Sequence, residues 1–178
     1  MIPKEFSINT KPRDIFVYTC DRIAEPLIEL GYVYRKSHND ICKKIDLFTF
    51  KILFQPSIKS TSVVFSVHMS VQSDMLKKWR CVKYENENVD DIVVVTTLAR
   101  LTKRKNSWPK YNVSTFTERE RVITEITKQI IDFAEPFFSR FDDLDLLIED
   151  VEKQEFSPIK DSFIRKNAAN DFVQCFKI

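Results

Sequence analysis

Ser62-Val63-Val64-Phe65-Ser66-Val67-His68-Met69-Ser70-Val71 alternates along its length. Val63, Phe65, Val67, Met69 and Val71 share one parity. Ser62, Ser66, His68 and Ser70 share the other, with Val64 the exception. Successive strand side chains point to opposite faces, so this segment reads as a half-buried antiparallel strand. Upstream, Phe48, Phe50, Ile52 and Phe54 repeat the pattern against Thr49 and Lys51, and Pro56 is expected to end that strand. Tyr32–Lys36 reads as a short strand before a turn at Ser37–Asp40. Downstream, Ile92–Leu101 is apolar on both parities and is expected as a central strand covered on both faces, with helix an alternative over Leu98–Leu101. Tyr111–Phe116 reads as a returning strand.

Helical spacing surrounds this cluster. Phe16, Cys20, Ile23, Leu27 and Leu30 recur at four-and-three intervals, with Pro26 a kink or restart and Gly31, the only glycine, at the C-terminal cap. Ser73 is placed to cap a helical turn over Asp74–Arg80. A longer helix is expected from Thr117, with Glu120 at capping-box spacing. Its apolar stripe is Val122, Ile126, Ile130, Phe133, Phe137 and Phe141, widened by Ile123, Ala134 and Phe138 and kinked at Pro136. Asp142–Gln154 reads as an acidic helix with Leu144, Leu147, Ile148 and Val151 inward. Pro158 is expected to open a last helix, and Phe172, Val173 and Phe176 to tuck the C-terminus onto the core. The expectation is an α+β fold: an antiparallel sheet of about 4–5 strands with N-terminal and C-terminal helices packed on one face. Residues 1–155 form the single domain, and residues 156–178 are a helical extension packed on it.

Composition narrows the chemistry. The chain has 178 residues, a formal net charge of +2 and one glycine. Loops that cradle phosphates need several glycines, so dinucleotide, P-loop and nucleophile-elbow patterns are absent. His38 and His68 are the only histidines. Cys20, Cys42, Cys81 and Cys175 lack metal or redox spacing, so no metal or cofactor is expected and the cysteines read as reduced, in a cytoplasmic protein. No stretch is long and apolar enough to span a membrane.

Four groups stand out as candidate sites. Arg100, Lys103, Arg104, Lys105 and Lys110 interleave with Trp108 and Tyr111, a pattern that suits nucleic acid through phosphate contacts and base stacking. It is equally a solvated hairpin tip. Trp79 and Arg80 are the residue types favoured as interface anchors, and otherwise an amphipathic turn. Asp142, Asp143, Asp145, Glu149 and Asp150 belong to an acidic run that suits a basic protein partner, and otherwise a solvated helix face. His68 lies between Ser66 and Ser70. Residues two apart on a strand are separated by about 7 Å, which places the serines beyond direct hydrogen-bond reach of the histidine.

Glu25-Pro26-Leu27, Leu30-Gly31-Tyr32, Arg35-Lys36, Gln55-Pro56-Ser57 and Glu135-Pro136-Phe137-Phe138, followed by Leu144, Leu147 and Ile148, occur in that order. In this the chain resembles an uncharacterised bacterial family, domain of unknown function 4304. The resemblance implies an α+β fold with an antiparallel sheet and carries no catalytic residues. The functional expectation is a non-enzymatic cytosolic protein-binding domain. By analogy of type, it is an immunity protein, an antitoxin-like factor that binds and neutralises a bacterial toxin or effector. The alternative is a nucleic-acid-binding accessory factor using residues 100–111.

Overall fold

A computed structural model describes residues 4–153, 155 and 168–177. The first helix is α1 (Pro12–Ala24), where Pro12 sits in the first turn and its missing N–H costs no helical bond. Pro26 restarts the chain as a 3₁₀ turn over Glu25–Leu30. That turn ends at Gly31 in the left-handed region, φ 88°, the conformation a side chain disfavours.

Six strands follow in one antiparallel sheet: β1 (Val33–Arg35), β2 (Asp40–Ile45), β3 (Phe48–Lys59), β4 (Ser62–Gln72), β5 (Ile92–Thr97) and β6 (Tyr111–Asn112). Their order is β1-β2-β3-β4-β5, and β6 pairs with the other end of β4. The alternation read in the sequence is the alternation observed. Phe48, Phe50, Ile52 and Phe54 on β3, and Val63, Phe65, Val67, Met69 and Val71 on β4, are all buried. Helices supply the rest of the core, through Phe16, Ile23, Val122, Ile126 and Ile130 among others.

Three strand expectations are corrected, the first being that the strand expected over Tyr111–Phe116 is only Tyr111–Asn112, since the next helix already starts at Phe116. β3 does not stop at Pro56 but continues to Lys59, with Pro56 opposite Phe65. The Phe54 N–H bonds the Asn39 carbonyl on the β2 side. Pro56 has the same parity, and β2 begins only at Asp40. The missing proline N–H therefore faces an edge and removes no ladder bond. β5 is not central: it pairs only with β4, ends at Thr97, and the chain turns into α3 (Leu98–Leu101). Its apolar character on both parities reflects burial at an edge. β2 is a strand that the sequence pattern does not announce, because Lys43 and Lys44 blur its alternation, although Ile41 is fully buried.

α2 (Asp74–Tyr84) begins at Ser73, whose hydroxyl accepts the Leu76 N–H as expected. α4 (Phe116–Gln129) is capped two residues earlier than the sequence suggests. Its cap is Thr115, which accepts the Glu118 N–H and also bonds the Glu118 carboxylate. The capping pair is Thr115/Glu118, not Thr117/Glu120. Thr115→Ala is accordingly expected to cost about 1 kcal/mol, and Thr117→Ala less than about half of that. Chemical denaturation of the two variants checks the assignment, and the reverse ranking would reject it.

A π-turn over Ile130–Ala134 follows α4, with the Glu135 N–H bonded to the Ile130 carbonyl. The extra residue in this turn shifts the helical phase. Phe133, expected on the buried stripe, is therefore exposed, while Ile130, Ala134 and Phe137 are buried. α5 (Glu135–Phe138), a 3₁₀ turn over Ser139–Phe141 and α6 (Leu144–Glu152) continue the chain. The expected helix from Pro158 lies outside the described residues. α7 (Ala168–Phe176) packs on α2 and α6, and its Phe172 and Phe176 rings meet Phe48.

Candidate functional site

The parity that leaves β3 and β4 away from the core forms an outer face. Leu53 and Gln55 are exposed there, and Lys51, Ser66, His68 and Ser70 are half-buried. Leu53, His68 and Thr97 are paired across β3, β4 and β5, so they lie in one row. The loop after α3 returns over this row. The Thr97 hydroxyl donates to the Ser107 carbonyl at 2.6 Å. That bond brings the next residue, Trp108, against the His68 ring, with centroids 5.3 Å apart. Trp108 does not fold into the core: it is 56% exposed.

His68 also bonds Ser66, with Nε2 3.0 Å from the hydroxyl oxygen. This corrects the expectation from strand rise. Strand side chains lean along the strand, and two can meet although their Cα atoms stand two residues apart. Burial lowers the His68 pKa below its ordinary value, so the ring is neutral near pH 7. A serine bonded to a neutral imidazole is the first half of a nucleophile–base pair. The second half is an acid that orients the ring, and no carboxylate among the described residues bonds His68.

The basic residues flank Trp108 in sequence. Lys103, Lys105 and Lys110 are exposed and Arg100 is half-buried. Arg104 differs, because it pairs with Glu125, which also holds Arg121. On the sheet itself the Asp40 carboxylate is occupied by Arg35, at 2.7 Å from Nε. Of the basic aromatic segment found in the sequence, Trp108 is placed on the sheet, while Arg104 turns to Glu125 of α4.

The other candidates sit differently. Arg80, expected as a surface anchor, is 1% exposed. Its guanidinium bonds Asp171 at 3.1 Å and Asp90 at 2.7 Å, and reaches the Ile92 carbonyl. Trp79 is half-buried under the Lys83 ammonium, 4.5 Å from the ring centroid. In the acidic run, Asp143 caps α6 by accepting the Leu146 N–H. Asp150 pairs with Arg140, and Glu149 with Lys153. Asp142 and Asp145 remain exposed. Much of this negative charge is offset locally. Among the described residues no group of three or more His, Cys, Asp or Glu side chains is arranged to hold a metal.

The sequence pattern also missed one cluster. The buried Tyr32 hydroxyl donates to Glu135, whose other oxygen accepts from Lys43 at 3.2 Å. Burial and the adjoining carboxylate push the Tyr32 pKa upward. This contact ties the Gly31-Tyr32 turn to the Glu135-Pro136 turn across the molecule.

The fold is therefore an antiparallel sheet with one face in the core and the other open, where Trp108 lies against His68. The chain belongs to the family described as domain of unknown function (DUF4304), whose profile matches residues 23–140. The match includes both turns joined by Tyr32 and Glu135, and all six strands. No curated protein and no solved structure matches the chain. No helix among the described residues is long and apolar enough to cross a membrane.

Proposed function

We propose that this protein is a non-enzymatic, cytosolic binding domain that docks an acidic protein partner on the outer sheet face. The observation that carries the reading is Trp108, exposed and held against His68 by the Thr97–Ser107 bond. A preorganised aromatic costs little entropy to bury, and tryptophan is enriched among residues that dominate interfaces. Lys103, Lys105 and Lys110, exposed and near it in sequence, complement negative charge. An immunity role, in which the partner is a toxin or effector held inactive, is the specific form of this reading. The acidic run is the weaker surface, because its carboxylates are largely engaged within the chain.

A nucleic-acid partner is the second reading, favoured by the same exposed cations beside an exposed indole. The test is affinity capture with and without nuclease, followed by titration of the recovered partner. For a protein partner, Trp108→Ala is expected to weaken binding by about 2 kcal/mol, roughly 30-fold. Charge reversal at Asp145 is expected to change it little. An unchanged affinity for Trp108→Ala rejects the face. Recovery of nucleic acid that salt strips away selects the second reading.

A further inference from the structure

The two fully buried arginines are balanced in different ways. Arg80 has two carboxylates. Among the described residues Arg119, 1% exposed, bonds only backbone carbonyls: Val113 at 3.2 Å, Thr115 at 3.4 Å and Lys4 at 2.9 Å. Its Nε has no acceptor among them. The Phe6, Phe116 and Tyr18 rings lie within 6.0 Å of the guanidinium carbon. Removing a cation from water costs several kcal/mol unless a paired charge and good hydrogen bonds return it. Carbonyls and ring faces do so incompletely. Burial accordingly lowers the Arg119 pKa, and Glu120 and Glu5 act against that shift only across space.

Arg119 lines a cleft of about 680 Å³ between the N-terminal arm, the β3–β4 turn and the start of α4. This is the size of a small-ligand site. Its walls carry hydroxyls from Thr10, Ser60, Thr61 and Thr115, with Lys11 as a second cation and Glu5 as the acid. α4 begins in the wall, where Thr115 caps it by accepting the Glu118 N–H.

We propose that this cleft binds the oxyanion group of a small hydroxylated molecule, with Arg119 as its principal cation and Lys11 at the mouth. The anion displaces the Lys4 carbonyl from the guanidinium and supplies the acceptor that Nε lacks. The hydroxyl-bearing walls hold the remainder of the ligand. This site is separate from the Trp108 face and stands or falls independently of it.

The experiment is nuclear magnetic resonance of the full chain, following the Arg119 Nε–Hε signal and the Thr61 and Phe116 amides. The probes are inorganic phosphate and glucose 6-phosphate, each compared with chloride at matched ionic strength. The expected result is a saturable shift of all three signals with phosphate-bearing probes and none with chloride. Glucose 6-phosphate should bind more tightly than inorganic phosphate, since only it meets the hydroxyls. Lys11→Glu, an exposed position that leaves the core intact, should weaken binding about tenfold. Arg119→Lys should remove it, and its melting curve shows whether the variant is folded. An Arg119 signal that does not move, equal shifts with chloride, or unchanged affinity in Lys11→Glu overturns the proposal.

Discussion

Asp171→Ala is expected to destabilise the protein by about 3–5 kcal/mol, the usual cost of leaving a buried charge without its partner. Asp171 is 4% exposed. It accepts from Arg80 at 3.1 Å, Lys83 at 3.0 Å and Tyr84 at 2.6 Å. These three donors lie on α2, whereas Asp171 lies on α7, so the carboxylate fastens the C-terminal helix to the domain. Among the described residues, removing it leaves Asp90 as the one carboxylate on Arg80, whose side chain is 2% exposed. Urea denaturation measures the loss. Hydrogen exchange of the α7 amides shows whether that helix opens first. A loss below about 1 kcal/mol would show that the cluster is not a fastening.

The same group gives a pH dependence with a definite sign. Burial pushes the Asp171 pKa up, but the bonds from Tyr84, Lys83 and Arg80 outweigh it and the net shift is downward. A carboxylate with a depressed folded pKa contributes stability above its unfolded pKa, about 3.9, and that contribution is lost as pH falls through the folded value. The stability gap between the natural protein and Asp171→Ala should therefore be constant near neutrality and narrow below about pH 4. A gap that widens on acidification would reverse the assignment.

Phe65→Ala is expected to cost about 3–5 kcal/mol, the range for truncating a buried phenylalanine. Phe65 is fully buried on β4. Its ring meets Phe16 of α1 and Phe54 of β3 at 5.9 Å, and Tyr111 of β6 at 5.8 Å. The side chain thus joins a helix to its own strand and two others, and no single neighbour can move to fill the space it leaves. Ser70→Ala, further along β4 on the other parity, is expected to change stability by less than about 0.5 kcal/mol. Equilibrium unfolding of the two variants compares the faces directly. Similar losses would mean that the outer face is packed rather than open.

The difference between those two positions was already written in the chain. Side-chain direction on a strand depends on parity alone, so Phe65 inward and Ser70 outward follow from the sequence. Ser73 as a cap and Gly31 as a left-handed stop are equally local, since each depends on a few neighbouring backbone groups.

What depended on other segments was not legible. Pro56 is tolerated because β2 starts too late to need its N–H, a fact about another strand. Phe133 is exposed because the π-turn shifts the helical phase, which a fixed helical period cannot anticipate. Arg80 and Arg119 look like surface cations in sequence, yet each is enclosed by residues distant in the chain: Asp171 for one, Lys4 and Phe6 for the other. The Trp108 face had both halves visible, a polar strand parity and a basic aromatic loop. Only tertiary structure laid one over the other, because the Thr97–Ser107 bond and the His68–Trp108 contact need the sheet's rows to be assembled.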